Sequence, residues 1–239
     1  MTKTYLIIGA HGGTGEALAR ALSGPDTRLI LTARDAGNLP SMEGAEAYSL
    51  DTTNPESVSA SLAALNLSQG LDGFAYCAGS IDLKPFGKTT DTDFAACFDL
   101  NVLGAVRILR GIEAALKQAS GSVVLFSTVA VQTGFANHSI IASAKGALEG
   151  ITRSLAAEWA PQVRVNALAP SLTDTGIAKP LTSSEKMAEG IAKTHPLQRL
   201  GTADDLANAA AFLLSDQSSW VTGQILGVDG GRSSIAGKG

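Results

Sequence analysis

The residues around position 140 combine side chains that can exchange protons with one that cannot. Lys145 is the single lysine of the stretch HSIIASAKGALEG, from His138 to Gly150, which is typical of the first turns of a helix. His138 precedes Lys145 by seven residues, so helical spacing places the imidazole and the amine on one face. An imidazole exchanges protons near neutral pH, which suits it to acid–base chemistry. Ile141, four residues before Lys145, places a hydrocarbon on the same face.

A glycine-rich segment near the start of the chain predicts a binding site for a dinucleotide. The sequence LIIGAHGGTGEALA places its glycines between an apolar run and an amphipathic one. Such glycines permit a tight turn and close approach of backbone N–H groups to a pyrophosphate, which then lies at the positive end of the helix. The residues expected to contact the dinucleotide are Gly9, His11, Gly12, Gly13, Thr14 and Gly15.

The end of the second apolar run indicates which dinucleotide is bound. An acidic residue there binds a ribose 2′-hydroxyl, whereas a basic residue accommodates a 2′-phosphate. Ala33 stands at the position of the acid and Arg34 follows it, while Asp35 is one step further and is expected to point away. The sequence therefore favours NADP(H) over NAD(H).

Short apolar runs alternate with longer amphipathic runs along the chain. Seven apolar runs are typical of strands: TYLIIGA, RLILTA, AEAYSL, LDGFAYCAG, SVVLFS, VRVNALAP and QILGVDGG. Several are continuously apolar, as in strands that are covered on both faces. The alternation predicts an α/β fold, a single Rossmann-type domain over residues 1–239. Its doubly wound parallel sheet is expected to have about seven strands with helices on both faces.

One segment interrupts this alternation. The residues from Thr173 to about Arg199 contain no predicted strand and are typical of loop and short helix. Inserts of this length inside compact domains often cover a binding site. We therefore expect a substrate lid at about residues 173–199.

Composition excludes several classes of function. The formal net charge is −4 and no basic patch is evident, so neither nucleic acid nor an anionic membrane surface is an expected partner. No apolar stretch approaches the 18 residues of a membrane span, and the apolar run at the start is too short for a signal peptide. Cys77 and Cys97 lack metal-ligand spacing, so no metal is expected. A cytoplasmic protein is the interpretation that agrees with these features.

Seven motifs, in order and at characteristic intervals, resemble those of the short-chain dehydrogenase/reductase family. They are GAHGGTG, CAG, LNVLGA, SVVLFSTVA, SAK, VNALAPS and VDGG, and together they cover essentially the whole chain. The resemblance implies an NADP(H)-dependent oxidoreductase that interconverts a carbonyl and an alcohol. The apolar Ile141 favours a small, hydrophobic substrate.

The resemblance also implies contacts with the cofactor at matched positions. These are Gly9, Gly13 and Gly15 in the TGxxxGxG turn, Asp51 at the adenine, Ala78 and Gly79 in the NNAG motif, and Pro170 and Thr175 in the PGxxxT segment. The chain departs from these motifs at Ile8, Tyr76, Cys77 and Ser171, which replace a threonine, two asparagines and a glycine.

The catalytic positions of the family are matched except for one. Asn101 matches the asparagine that holds a proton-relay water, and Lys145 matches the lysine that binds the nicotinamide ribose. Thr128 falls on the catalytic serine, with Ser127 as a neighbouring hydroxyl that could substitute for it. The catalytic tyrosine aligns with Ile141, which lines the site but donates no proton.

The missing tyrosine leaves the source of the proton open. In the family the tyrosine protonates the carbonyl oxygen as hydride arrives from the nicotinamide. His138, a water held by Lys145 and Asn101, or the substrate itself are the alternatives. If none serves, the chain is a non-catalytic NADP(H)-binding sensor or silent subunit, or it uses the cofactor for a non-redox step such as epimerisation or lyase chemistry.

Family resemblance implies a homo-oligomer, a tetramer or a dimer, besides the small-molecule substrate. Members associate through two long helices, here about 91–118 and 140–159, and often through the last strand. The run LGVDGGRSSIAGKG resembles such a C-terminal contact.

Overall fold

A computed structural model describes residues 2–235 and confirms the predicted α/β fold. Seven parallel strands form one sheet, in the spatial order β3, β2, β1, β4, β5, β6, β9. The strands are β1 Lys3–Ile8, β2 Thr27–Ala33, β3 Ala45–Ser49, β4 Gly73–Tyr76, β5 Ser122–Phe126, β6 Arg164–Pro170, β7 Thr173–Asp174, β8 Gly201–Thr202 and β9 Ile225–Val228. All seven predicted strands are therefore present.

Helices lie on both faces of this sheet. They are α1 Gly13–Leu22, α2 Pro55–Ala64, α3 Asp91–Phe98, α4 Gly104–Ala119, α5 Ala130–Thr133, α6 Ser139–Trp159, α7 Glu185–Ala192 and α8 Ala203–Leu214. Helices α3 and α4 are joined without a break by a π-helical turn over Asp99–Leu103. Among residues 2–235, no helix has the length and apolar character needed to cross a bilayer.

The central strands are buried on both faces, which explains their continuous apolar sequences. In β1, Leu6 and Ile8 pack into one apolar cluster with residues of α4 and α6. Tyr5 and Ile7 point the other way, into a second cluster with residues of α1 and α8. Successive side chains of a strand alternate between faces, so two covered faces require apolar residues at every position.

Two helices begin at residues whose side chains cap them. The Asn54 side chain accepts hydrogen bonds from the backbone N–H groups of Glu56 and Ser57 at the start of α2. Thr202 and Asp205 form a reciprocal capping box at the start of α8. These caps satisfy N–H groups that have no partner within the helix.

The expectation that the segment beginning at Thr173 contains no strand was wrong. Thr173–Asp174 pairs in parallel with Gly201–Thr202, as a separate two-stranded sheet that joins the two ends of the insert. A strand of two residues is too short to produce a periodic pattern in the sequence. Between these strands the chain forms a 3₁₀ helix over Gly176–Leu181 and the short helix α7, as expected for loop and helix.

The order of strands determines where a site can form. The chain moves outward from β1 through β2 to β3, then returns to the other side of β1 at β4. A crevice opens at such a reversal, beyond the carboxyl ends of the strands. Gly9, Ala78, Thr128 and Ser171 follow four of these strands and meet at this edge of the sheet.

Candidate active site

The turn after β1 is built from close backbone contacts that only glycine allows. Gly9 has φ +79°, and a Cβ there would lie 2.8 Å from the Ala78 backbone nitrogen. A Cβ on Gly15 would lie 2.4 Å from the Gly9 carbonyl oxygen. Gly12 is the N-cap of α1 and has no side chain to bond the first N–H groups of that helix. This end of α1 is therefore arranged to receive an anion.

Arg34 and Asp51 lie at the carboxyl ends of the next two strands. Arg34 is exposed just after β2, whereas the Asp35 carboxylate accepts a 2.9 Å hydrogen bond from the Gly37 backbone N–H. Asp51 Oδ1 accepts hydrogen bonds from the Thr53 backbone N–H and hydroxyl, at 2.9 and 2.7 Å. These bonds, with a smaller contribution from the charge of Arg34, hold the pKa of Asp51 below its usual range. Asp35 is thus engaged locally and Arg34 is the charged group presented at the end of β2.

Tyr76 fixes the π-helical turn to the sheet. Its hydroxyl donates a 2.6 Å hydrogen bond to the Leu100 carbonyl, and burial raises the pKa of Tyr76 to about 12. A Cβ on Gly104 would lie 2.4 Å from this hydroxyl oxygen, so glycine at 104 provides the space for it. The π turn therefore has a specific anchor on β4, and π turns inside helices often occur at functional sites.

The π turn places Asn101 beside Lys145. The Asn101 side-chain nitrogen donates to the Cys97 carbonyl at 2.9 Å and to the Ser80 hydroxyl at 3.2 Å. A Cβ built on Gly79 would lie 2.9 Å from Asn101 Oδ1 and 3.4 Å from Lys145 Nζ, so these two atoms flank Gly79. Asn101 Oδ1 is buried and has no hydrogen-bond partner among residues 2–235. It is an acceptor aimed at the same place as the lysine ammonium.

Lys145 is a buried cation. The residue is only 7% exposed, and its ammonium forms no ion pair with the residues that the structure describes. Burial lowers the pKa of Lys145 to about 8, because removing the ammonium from water disfavours the charged form. Hydroxyl or anionic groups of a bound ligand would therefore stabilise the charged form of Lys145.

A cavity of about 390 Å³ joins four of the predicted catalytic positions, and Asn101 is not among its lining residues. Thr128, His138, Ile141 and Lys145 all line it, so the structure brings these four together. The matched cofactor positions Thr14, Ala78, Gly79, Pro170 and Thr175 line it as well. Ile141 is 5% exposed, with one side toward this cavity and the other packed in the apolar cluster beneath α6.

The two hydroxyls at the end of β5 have different surroundings. The Ser127 hydroxyl is buried and donates a 2.8 Å hydrogen bond to the Glu149 carboxylate. Thr128 is half-buried, and its hydroxyl oxygen accepts a 3.3 Å hydrogen bond from the Ala130 backbone N–H. The Thr128 hydroxyl hydrogen remains free to donate, so Thr128 rather than Ser127 suits the position of the family serine.

The His138 ring is oriented by a backbone carbonyl. His138 Nδ1 lies 2.8 Å from the Ala136 carbonyl oxygen, which can only accept, so the hydrogen is on Nδ1. The Phe135 ring meets the imidazole edge-on at 5.4 Å between centroids. His138 Nε2 is thus the nitrogen that can exchange a proton with a group in the cavity.

Comparisons with known proteins agree with this geometry. A family model described as Enoyl-(Acyl carrier protein) reductase matches residues 9–233. An uncharacterized oxidoreductase from Bacillus subtilis is 33% identical, with 97% of this chain and 99% of that protein covered. The 2-dehydro-3-deoxy-D-gluconate 5-dehydrogenase of the same organism is also 33% identical, with 96% and 94% covered. The structure of ElxO with NADP bound is 29% identical, with TM-score 0.89 and 98% and 100% of the two chains covered.

The chain belongs to the short-chain dehydrogenase/reductase family. It is an oxidoreductase of that family, as its resemblance in sequence indicated.

The site of this short-chain dehydrogenase/reductase fits a nicotinamide dinucleotide. The uncapped start of α1 fits the pyrophosphate, and the unpartnered Asn101 Oδ1 and the buried Lys145 ammonium fit groups rich in hydroxyls. Thr175 lies against the glycine turn, since a Cβ on Gly13 would be 3.2 Å from its methyl carbon. The residues predicted for the pyrophosphate and for the nicotinamide ribose therefore lie at the same edge of the sheet.

Two contacts at the cavity were not predicted from the sequence. His195 is buried; its Nδ1 donates to the Ile191 carbonyl, so in the neutral imidazole Nε2 accepts a 2.8 Å hydrogen bond from the Ser171 hydroxyl. Arg232 lies over the Phe135 ring, with Cζ 4.6 Å from the ring centroid. Residues in each pair are 24 or more positions apart, and no local pattern connects them.

We expect Lys145→Met to raise the melting temperature of the cofactor-free protein at pH 7. Folding lowers the pKa of Lys145 from the usual 10.5 to about 8. Burial of the ammonium charge therefore lowers the free energy of unfolding, by its full amount at every pH below about 8. This cost disappears as the pH rises from about 8 to 10.5, where the folded state has released the proton and the unfolded state releases it too. The difference in melting temperature between the variant and the wild type should shrink over that range.

The exposed Lys88→Met serves as the control for the loss of a lysine. Calorimetric melts of the three proteins at pH 7, 8, 9 and 10 measure the effect. A difference for Lys145→Met that is constant with pH would contradict the burial cost.

Proposed function

We propose that the protein interconverts a carbonyl and an alcohol on a small substrate with an apolar body, using NADP(H), and that His138 exchanges the proton in place of the family tyrosine. The observation that carries the proposal is the cavity that gathers Thr128, His138 and Lys145 around Ile141. In a purely nucleotide-binding protein, neither a free hydroxyl nor an oriented imidazole would be required beside the lysine.

Each side chain has a separate task in this proposal. Bound NADPH supplies the hydride. The Thr128 hydroxyl donates a hydrogen bond to the carbonyl oxygen of the substrate, and the protonated imidazole of His138 gives its Nε2 proton to that oxygen. In the reverse direction neutral Nε2 takes the proton from the alcohol. Lys145 holds the nicotinamide ribose, and its charge favours negative charge developing on the oxygen.

The lid over residues 173–199 closes this site in the proposal. Ile177, Leu181 and Ile191 belong to that segment and line the cavity. They and Ile141 are apolar members of the same cavity lining. Closing the lid excludes water and strengthens the polar interactions inside.

A second candidate function rests on Ile141 itself. A hydrocarbon at the tyrosine position is what a non-catalytic NADP(H)-binding sensor or silent subunit would tolerate. In that case the cofactor binds with the same selectivity but no carbonyl compound is reduced. The two functions are distinguished by turnover of bound NADPH.

We expect NADPH to bind at least tenfold tighter than NADH. Arg34 is exposed at the end of β2, and Asp35 is held by Gly37, so a 2′-phosphate meets a cation there rather than an acid. Arg34→Ala should lower the affinity for NADPH and leave the affinity for NADH nearly unchanged. Calorimetric titration of both cofactors measures this, and equal affinities for the wild type would refute the assignment.

We expect His138→Ala to lower the turnover number for ketone reduction by on the order of 10²-fold, because positioned proton transfer typically contributes 10²–10⁴. NADPH affinity should stay the same, since His138 lies at the substrate end of the cavity. Adding Ile141→Tyr to this variant places a phenol four residues before Lys145 and should restore much of the lost rate.

The assay is NADPH consumption over a panel of ketones, aldehydes and keto acids. Full activity of His138→Ala would remove the imidazole as donor in favour of a water at Lys145. If wild type and Ile141→Tyr both bind NADPH yet reduce no member of the panel, the non-catalytic function is the better account.

We expect a homodimer or homotetramer at micromolar concentration. Trp220 is 99% exposed, and Phe212 on α8 and Leu226 on β9 are also large exposed apolar side chains. Strand β9 ends the order of the main sheet in the described chain, so its outer side is open to pairing. Residues 236–239 of the predicted C-terminal contact lie outside the described residues. Analytical ultracentrifugation of the wild type and Leu226→Lys tests this, and a wild-type monomer would contradict it.

A further inference from the structure

The cavity carries positive charge that the reaction described above does not fully use. Three basic side chains line it, namely His138, Lys145 and Arg232. No aspartate or glutamate is among the described residues of its lining. His138 and Lys145 have tasks in proton exchange and in binding the nicotinamide ribose, which leaves Arg232 without one.

Arg232 is held over the cavity by an aromatic ring. Its guanidinium carbon lies 4.6 Å from the centroid of the Phe135 ring, and the residue is half-buried. Stacking on the ring face leaves the N–H groups in the guanidinium plane free to donate. One of them reaches the Ser171 hydroxyl at 3.5 Å, a long contact.

The nearest acid in sequence does not pair with Arg232. The Asp229 carboxylate accepts hydrogen bonds of 2.8 Å from the backbone N–H groups of Gly231 and Ser233, and a further one from the Ser233 hydroxyl. Within residues 2–235, Arg232 forms no ion pair with any carboxylate. Asp229 instead shapes the turn that carries Arg232 after β9.

Arg232 and His138 both lie against the Phe135 ring. This ring lies beneath the guanidinium, and its centroid is 5.4 Å from that of the His138 ring. His138 is the N-cap of α6, and Ile141 follows in the first turn of that helix. The cofactor phosphates, by contrast, are expected at the glycine turn and the start of α1. The guanidinium is therefore linked through Phe135 to His138, which the proposed function places at the reacting carbonyl.

We infer that Arg232 binds the carboxylate of the substrate, so that the enzyme acts on small keto acids and hydroxy acids with an apolar body. Guanidinium and carboxylate match in shape and form two parallel hydrogen bonds, which strengthen where water is excluded. The remaining wall of the cavity is largely apolar, with Ile81, Leu83 and Ile177 among its residues. A cavity of about 390 Å³ that also takes the nicotinamide leaves room only for a small acid. The inference rests on the proposed function, because it takes this cavity to be the place where the substrate reacts.

Binding of benzoate and of benzamide tests the inference without relying on turnover. The two probes have nearly the same shape and differ in charge. Calorimetric titration is carried out on the protein saturated with NADP⁺ and on the protein without it. Benzoate should bind at least tenfold tighter than benzamide to the wild type.

Variants of Arg232 identify the group responsible. Arg232→Leu should remove the preference for benzoate and leave benzamide within about twofold, while Arg232→Lys retains part of it because it keeps the charge and loses the paired hydrogen bonds. Arg110→Leu, an exposed arginine on α4, is the matched control and should behave as wild type. Phe135→Leu removes the ring beneath the guanidinium and should lower the affinity for benzoate to a value between those of the wild type and Arg232→Leu. This variant keeps the inference testable if Arg232→Leu fails to fold. Equal binding of the two probes, no benzoate binding at millimolar concentration, or a preference that persists in Arg232→Leu would overturn the inference.

Reduction of levulinate and of methyl levulinate separates this inference from the proposed function. We expect the wild type to reduce the acid with a kcat/KM at least tenfold above that for the ester. Arg232→Leu should lose this preference because its KM for the acid rises. A preference for benzoate with no reduction of levulinate, of its ester or of any member of the panel leaves the carboxylate site standing and defeats the proposed function. Equal reduction of acid and ester supports the proposed function and overturns the inference.

Discussion

The burial of the Lys145 ammonium is the constraint on which the rest of the site depends. A cation removed from water is costly unless other groups solvate it, and the fold lowers the pKa of Lys145 to about 8 rather than providing a carboxylate partner from the described residues. The buried, unpartnered Asn101 Oδ1 and the Lys145 ammonium both lie close to Gly79. Together they form a polar spot at the base of an otherwise largely apolar cavity, which a nicotinamide ribose with its hydroxyls would complete.

Several elements keep this spot in place. Tyr76 holds the π turn through the Leu100 carbonyl, and the space for its hydroxyl exists because residue 104 is glycine. The family resemblance implies an asparagine at position 76, so by that alignment the chain supports the turn with a phenol from β4 in place of an amide. Ile141 closes the cavity one helical turn before the lysine and packs into the core with its other side. By the alignment that the family resemblance implies, Ile141 keeps the wall of the site intact at the position where the family has its proton donor.

The sequence predicted the parts of the molecule that local patterns encode. Apolar runs identified all seven strands of the sheet, and those of the central strands are continuous because both faces of these strands are buried. The glycine turn followed from spacing within the first strand–helix unit, and the role of Lys145 followed from the family resemblance. The pairing of Thr173–Asp174 with Gly201–Thr202 was missed because two residues cannot show a period. The contact of Arg232 with Phe135 was missed because it joins residues 97 positions apart through the fold.

The central claim is that this site transfers hydride although Ile141 occupies the place of the tyrosine. A single turnover with NADPH carrying deuterium at C4 of the nicotinamide tests it most directly, with levulinate or another small ketone in excess over the enzyme. The account predicts that deuterium from one face of the nicotinamide appears on the carbinol carbon of the product, with a slower rate than for unlabelled NADPH. NADPH that binds at the site and keeps its label on both faces, over a broad panel of ketones and keto acids, would contradict it.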